Sequence, residues 1–259
     1  MSWASRRRFI YLTGTTLFFL IVLGGPLAWW YLTIPATCTD GITNHGETSI
    51  DKGGPCPILD ERVLQPEAAL WSRSFRVRDG TFTAIAYVQN PNDGAGVSTA
   101  HYRFGLYDDR NILVAEREGD TYIMPGAVTP VLESRIDTGN RIVARTYFEF
   151  TDPLIWRRFS NTAASIQINS KELSDTKSAP RLSATAQNTS VAEIFDIRFI
   201  ASIFDPAGNA FAVSGTALPK LAPGETAQII FTWPDAFSVQ TGRVDIVPLA
   251  SPTAVRFTP

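Results

Sequence analysis

Hydrophobic positions follow two different rules along this chain. From Phe9 to Ile34 the residues are rich in Leu, Ile, Phe and Val, and no charged side chain appears before Asp40. From Phe75 onward, apolar and polar residues alternate instead. Phe82, Ala84, Ala86 and Val88 form one set, and Thr81, Thr83, Ile85 and Tyr87 form the other. A period of two sends alternate side chains to opposite faces of a strand, and this region sustains no helical period.

The strand pattern is written twice. Ala86-Tyr87-Val88-Gln89-Asn90, Leu106-Tyr107-Asp108, Asn111 and Pro125-Gly126 have counterparts in Ala184-Thr185-Ala186-Gln187-Asn188, Ile203-Phe204-Asp205, Asn209 and Pro223-Gly224. The pairs Asn90/Asn188, Asn111/Asn209 and Pro125/Pro223 are each separated by 98 positions. In the first copy, turn-forming clusters separate the stripe Tyr102, Phe104, Leu106 from Ile112 to Glu116, Tyr122 to Met124 and Ile142 to Phe150. In the second, Ile197, Phe199, Ala201 and Ile203 precede the turn Asp205 to Asn209, and Ile229, Phe231 and Trp233 follow Pro223-Gly224.

About seven short strands per copy predict an all-β fold of two tandem Ig-like antiparallel β-sandwiches, preceded by one N-terminal transmembrane α-helix. The expected boundaries are a cytoplasmic N-terminus (1–8), the helix (9–34), a cysteine-containing spacer (35–70), the first sandwich (71–151), a connector (152–165) and the second sandwich (166–259). Duplication of turn and core positions is expected to extend a stalk or binding surface away from the membrane.

The apolar run of 26 residues, at about 1.5 Å each, exceeds a hydrocarbon core of roughly 30 Å. Trp29, Trp30 and Tyr31 sit where an interfacial aromatic belt belongs, and Pro26 after Gly24-Gly25 is expected to kink that end. Arg6, Arg7 and Arg8 precede the run, so the positive-inside rule keeps the N-terminus cytoplasmic and exports the rest from a single-pass anchor in the cell membrane. A cleaved signal peptide competes with this reading, but the run is longer than a usual signal core and no small-x-small site precedes Trp29. Cys38 after Pro35-Ala36-Thr37 is a poor match to a lipoprotein cleavage site.

Beyond the run, Cys38 to Cys56 resembles a short extracellular segment, C-x-D-G-x-x-N-x-x-E-x-x-x-D-C-G-G-x-C, found near the anchors of some bacterial surface proteins. Lys52 replaces one of its cysteines. Cys38 and Cys56 are the chain's two cysteines, and in an oxidising compartment a bridge between them would be worth on the order of 3 kcal/mol. Asp40, Asn44, Glu47 and Asp51 offer the oxygen ligands calcium prefers, without EF-hand spacing; a solvated turn has the same composition.

Phe104-Gly105-Leu106-Tyr107-Asp108 reads F-x-L-Y-D, and its strand-turn surroundings resemble the FxLYD-type bacterial Ig-like domain. In the second copy, Ala201-Ser202-Ile203-Phe204-Asp205 keeps the apolar-aromatic-Asp core without the leading Phe. The resemblance implies a sandwich fold and an exported location, and it implies no active site.

Candidate chemistry is sparse. The chain has net charge −2; setting aside Arg6 to Arg8 leaves 20 of its 23 basic side chains against 25 acidic ones, which argues against nucleic acid as a partner. Its two histidines, His45 and His101, are too few for a His-rich metal centre. No zincin, nucleophile-elbow or phosphate-loop signature occurs, so no enzyme and no cofactor are expected. His101 reads as a solvated strand-entry residue, and Asp108 and Asp205 read as turn residues rather than paired catalytic carboxylates. Asn188-Thr189-Ser190 matches a glycosylation sequon, although Asn90 fills the same place without one.

Among the aromatics compared with a glycan-binding platform, Trp71, Trp156, Phe159 and Trp233, the last belongs to an alternating core stripe. Trp156, Arg157, Arg158 and Phe159 in the connector either pack between the sandwiches or face a partner. The expected function is a membrane-anchored extracytoplasmic structural or protein-interaction module, held to lipid by its helix, with a ligand- or glycan-binding receptor as the alternative.

Overall fold

The computed structural model describes residues 3–33, 38–159, 165–251 and 255–256. The helix end at Ile34, the start of the spacer at 35–37, and connector residues 160–164 lie outside the described residues, as do 252–254 and 257–259 of the second sandwich. The chain forms two compact units, Met1–Pro57 and Ile58–Pro259.

In the first unit, helix α1 (Trp3–Phe19) passes through a π-helical turn (Leu20–Gly24) into α2 (Gly25–Thr33). The π turn ends two residues before Pro26, which has no N–H to donate and would crowd the carbonyl four residues back, at Val22 within the turn; a wider turn absorbs both effects. The stretch Ser5–Trp30, 26 residues, is long and apolar enough to cross a membrane.

The second unit contains two sandwiches of the same topology. The first uses β1 (Ala68–Arg78), β2 (Thr81–Gln89), β3 (Ala95–Tyr107), β4 (Leu113–Ile123), β5 (Val128–Asp137), β6 (Arg145–Phe150) and β7 (Trp156–Arg158). The second uses β8 (Ile166–Ser174), β9 (Arg181–Asn188), β10 (Glu193–Phe204), β11 (Ala210–Leu221), β12 (Thr226–Thr232), β13 (Arg243–Leu249) and β14 (Val255–Arg256). Sheets β1-β2-β5 and β4-β3-β6 of the first copy match β8-β9-β12 and β11-β10-β13 of the second, all antiparallel, and β7 and β14 each add to the long third strand of their copy. Residues 112 to 124, read from sequence as two strand segments, lie mostly in the single strand β4, and Ile142 sits in the loop before β6.

Each sandwich has its own core. Ala84, Ala86 and Val88 meet Tyr102, Phe104 and Leu106 in the first, and Leu182, Ala184 and Ala186 meet Ile197, Phe199, Ala201 and Ile203 in the second. Trp233 closes the second core and donates its indole N–H to the Val213 carbonyl at 3.0 Å.

A further apolar cluster joins the copies. Ile85 and Leu132 on the outer face of β1-β2-β5 pack against Ile200, Val213 and Leu249 on the outer face of β11-β10-β13. Trp71 stacks on Tyr87 at this junction with ring centroids 4.6 Å apart, and the Tyr87 hydroxyl meets the fully buried Ser202 hydroxyl at 2.8 Å. Burying an aliphatic side chain of this size is worth about 1.5–3 kcal/mol. The copies therefore stack face to face instead of lengthening a stalk, because β2 and β10 are apolar on both sides.

The repeated asparagines explain what the duplication preserves. Asn90, 1% exposed, donates its side-chain amide to the carbonyls of Ala95 (2.7 Å) and Met124 (2.9 Å), and its oxygen accepts from the backbone and side-chain amides of Asn92. Asn188, fully buried, donates to Ala192 (2.8 Å) and Leu221 (3.0 Å) and accepts from the backbone N–H and hydroxyl of Ser190. One buried side chain thus ties together two backbone carbonyls at strand ends and the turn that follows it. Asn188→Ala should lower the unfolding free energy by about 3 kcal/mol, since several buried groups lose their partners at once. Urea denaturation followed by tryptophan fluorescence measures this, and a loss comparable with that of a surface substitution would refute the bracing role.

Candidate functional site

The expected partner residues of the connector divide by burial. Trp156 is 5% exposed and packs with Ala95, Val97, Ala100 and Ile123 at the end of the first sandwich, against Leu59 and Leu64 of the preceding segment. It is neither a rim residue facing a partner nor a contact between the sandwiches; the pairing of Val97 with Trp156 across β3 and β7 turns the indole inward. Arg157 and Arg158 are exposed, and Phe159 is half-buried. The segment before β1 is tied to the same end: the Leu59 N–H donates to the Trp156 carbonyl, while Gln65 and Asn92 exchange two hydrogen bonds.

Phe159 leads to the outer face of β4-β3-β6. Gly96, buried like Ala95 and Val97 beside it in β3, is a position where a β-carbon would lie 2.7 Å from the Ile123 carbonyl oxygen and 3.1 Å from the Phe159 ring. Gly105 repeats the arrangement farther along β3, where a β-carbon would lie 2.8 Å from the Tyr107 ring. Glycine weakens a strand, but here it leaves room for an aromatic ring to pack against the backbone.

Tyr107 meets Tyr147 edge to face at 5.3 Å, and Tyr147 is 54% exposed. Arg103 lies between Glu149, its close ion-pair partner, and Glu116 at 3.6 Å. Together these groups bound an open depression of about 470 Å³. Ile112, Leu113 and Ile142 are exposed, and Arg141 donates to the Leu113 carbonyl at 3.0 Å, tying the loop before β6 to the start of β4. By contrast, the outer face of β8-β9-β12 presents Ser183, Thr185, Gln187 and Gln228, with Ile230. Sequence reading passed over Tyr107 and Tyr147 as a pair because they are distant in sequence. The in-strand glycines of F-x-L-Y-D and Ala-Gly-Val were the available signal.

The remaining candidates serve local structure. Asp108 accepts from the N–H groups of Arg110 (3.0 Å) and Ile112 (2.8 Å), and Asp205 accepts from that of Asn209 (2.8 Å). His101 lies within β3, exposed, and pairs with Asp120 directly across on β4. Asn188 is fully buried with both amide hydrogens engaged, so its sequon presents no accessible nitrogen in the folded protein.

In the first unit, Cys38 and Cys56 form a disulfide with Cα atoms 5.6 Å apart. Inside this loop, Asp51 accepts from the N–H groups of Asp40 (3.0 Å) and Gly41 (3.1 Å), and the Asn44 side chain donates to Asp40 (2.9 Å). Glu47, 9% exposed, accepts from the Asn44 and Asp51 N–H groups. The four candidate calcium ligands thus order the loop's own backbone. Among the described residues, one grouping of metal-type ligand atoms occurs, Cys38, Glu47 and Cys56, and both its sulfurs are committed to the bridge.

No protein-family model matches the chain, and no curated protein matches it. Among solved structures it is similar to red sea bream transglutaminase, with 8% identity over 71% of this chain and 31% of that one and a TM-score of 0.23. The chain spans about a third of that structure's length.

The backbone hydrogen bond from Asn209 is the main cause holding the Asp205 carboxyl below its ordinary range, helped by the Asn209 side chain. Because the folded value is depressed, the turn's contribution is complete above about pH 4 and is lost as pH falls through the folded value. Asp205→Asn should therefore flatten the acid limb of the stability curve below about pH 4. Denaturation midpoints measured from pH 2 to 5 test this, and parallel curves for the two proteins would contradict it.

Proposed function

We propose that the chain is a membrane-anchored extracytoplasmic module whose first sandwich presents a protein-interaction surface. The observation that carries this reading is the outer face of β4-β3-β6, where Phe159 and Tyr107 pack against strand glycines, Tyr147 and Arg157 are exposed, and half-buried Arg103 shares the sheet. Aromatic and arginine side chains supply much of the energy of protein interfaces. The apolar helix supports the anchor, and Arg6, Arg7 and Arg8 support a cytoplasmic N-terminus. The F-x-L-Y-D resemblance supports an exported sandwich of bacterial type. The disulfide suits the oxidising side of the membrane.

Cross-linking the full chain in intact membranes tests the surface. A discrete cross-linked species should form with the parent protein and fall at least about fivefold in the combined Tyr147→Ser, Arg157→Glu variant, as expected when interface anchors are removed. Equal yields from both, at unchanged thermal stability, would reject this face as the contact. The alternative reading as a glycan receptor draws on the same exposed Tyr147 beside half-buried Tyr107, since rings flanked by carboxylates also suit the face of a sugar; glycan-array binding lost in Tyr147→Ser would favour it.

A further inference from the structure

The face-to-face junction does not close completely. At its edge is a cavity of about 480 Å³, bounded by Tyr122, Leu132 and Arg135 of the first sandwich and Arg198, Ile200 and Leu249 of the second. Its size falls in the range of small-molecule sites. Leu132, Ile200 and Leu249 belong to the apolar cluster that joins the copies, so one wall is greasy.

The polar groups are distributed unevenly. Asp120, on the rim, is engaged by His101, and Glu133 accepts the Tyr102 hydroxyl. Arg198 is exposed, and its side chain has no hydrogen bond or ion pair among the described residues. Its charge acts on both Tyr102 and Tyr122, opposing the upward shift that burial imposes on each phenol. The Tyr122 hydroxyl is buried without any hydrogen-bond partner, a condition that native proteins rarely leave unsatisfied.

We propose that this cleft binds a small amphiphilic carboxylate, its head held by Arg198 and the Tyr122 hydroxyl and its apolar body against Leu132, Ile200 and Leu249. A guanidinium and a phenol are both donors, matching an acceptor-only carboxylate, and the nearby acidic groups already have partners. The hydroxyl oxygen is covered by surrounding atoms, so binding includes a side-chain rearrangement at the rim. This site is separate from the proposed interaction face, and either assignment can fail without the other.

Calorimetry on the full chain in detergent, with 3-phenylpropionate as probe, tests the proposal. One-site saturable binding is expected, with 3-phenylpropionamide and inorganic phosphate each at least about tenfold weaker. Arg198→Gln should weaken the carboxylate about tenfold or more, whereas Arg110→Gln, on an exposed turn, should leave it unchanged. Tyr122→Phe is the sharper variant: it removes an unsatisfied hydroxyl, so thermal stability should stay equal or rise while affinity falls about threefold to tenfold. Absence of saturable binding overturns the proposal, as does equal affinity for the amide or phosphate, or affinity unaffected by Arg198→Gln and Tyr122→Phe.

Discussion

Burial on both faces of two strands governs the architecture of the β-rich unit. In β2, Ala84, Ala86 and Val88 enter one core while Ile85 and Tyr87 enter the junction between sandwiches; in β10, Phe199, Ala201 and Ile203 face one core while Ile200 and Ser202 face the same junction. A strand with two apolar sides cannot leave either in water at low cost, so each sandwich needs the other as a cover. The resulting stack leaves two sheet faces outward, β4-β3-β6 and β8-β9-β12. It also creates the edge cavity, because two twisted sheets in contact at their centres separate toward their rims.

This arrangement assigns different tasks to copies that share a topology. Their common residues are internal: Asn90 and Asn188 brace equivalent loops, and Asp108 and Asp205 close equivalent turns. Residues that differ sit where the copies face different surroundings. Gly105, Tyr107 and Tyr147 shape an exposed face in the first copy, while the aligned sheet of the second is occupied by the junction. Divergence between the halves is therefore concentrated on surfaces, and conservation within them on hydrogen-bonding frameworks.

The disulfide unit follows a different economy. A segment with few apolar residues cannot order itself by burial, and here a covalent bridge is supplemented by carboxylates that accept backbone amides. Glu47 and Asp51 illustrate how the composition of a calcium loop can arise from turn construction alone.

Local periodicity and turn chemistry were legible in the chain itself. Alternation around Phe82 to Val88, the spacing of Asn90 and Asn188, and the uncharged run from Phe9 specify strands, a duplicated all-β framework and a long apolar helix, because each depends on neighbours a few residues apart. Even the apolar second face of β2 was visible in Ile85 and Tyr87, though not what covers it. Only the tertiary structure decided that Trp156 turns into the apolar cluster at the end of the first sandwich, that Tyr107 meets Tyr147, and that Tyr122 and Arg198 share a cleft. These contacts join residues remote in sequence, and sheet packing, rather than any local preference, determines which of them meet.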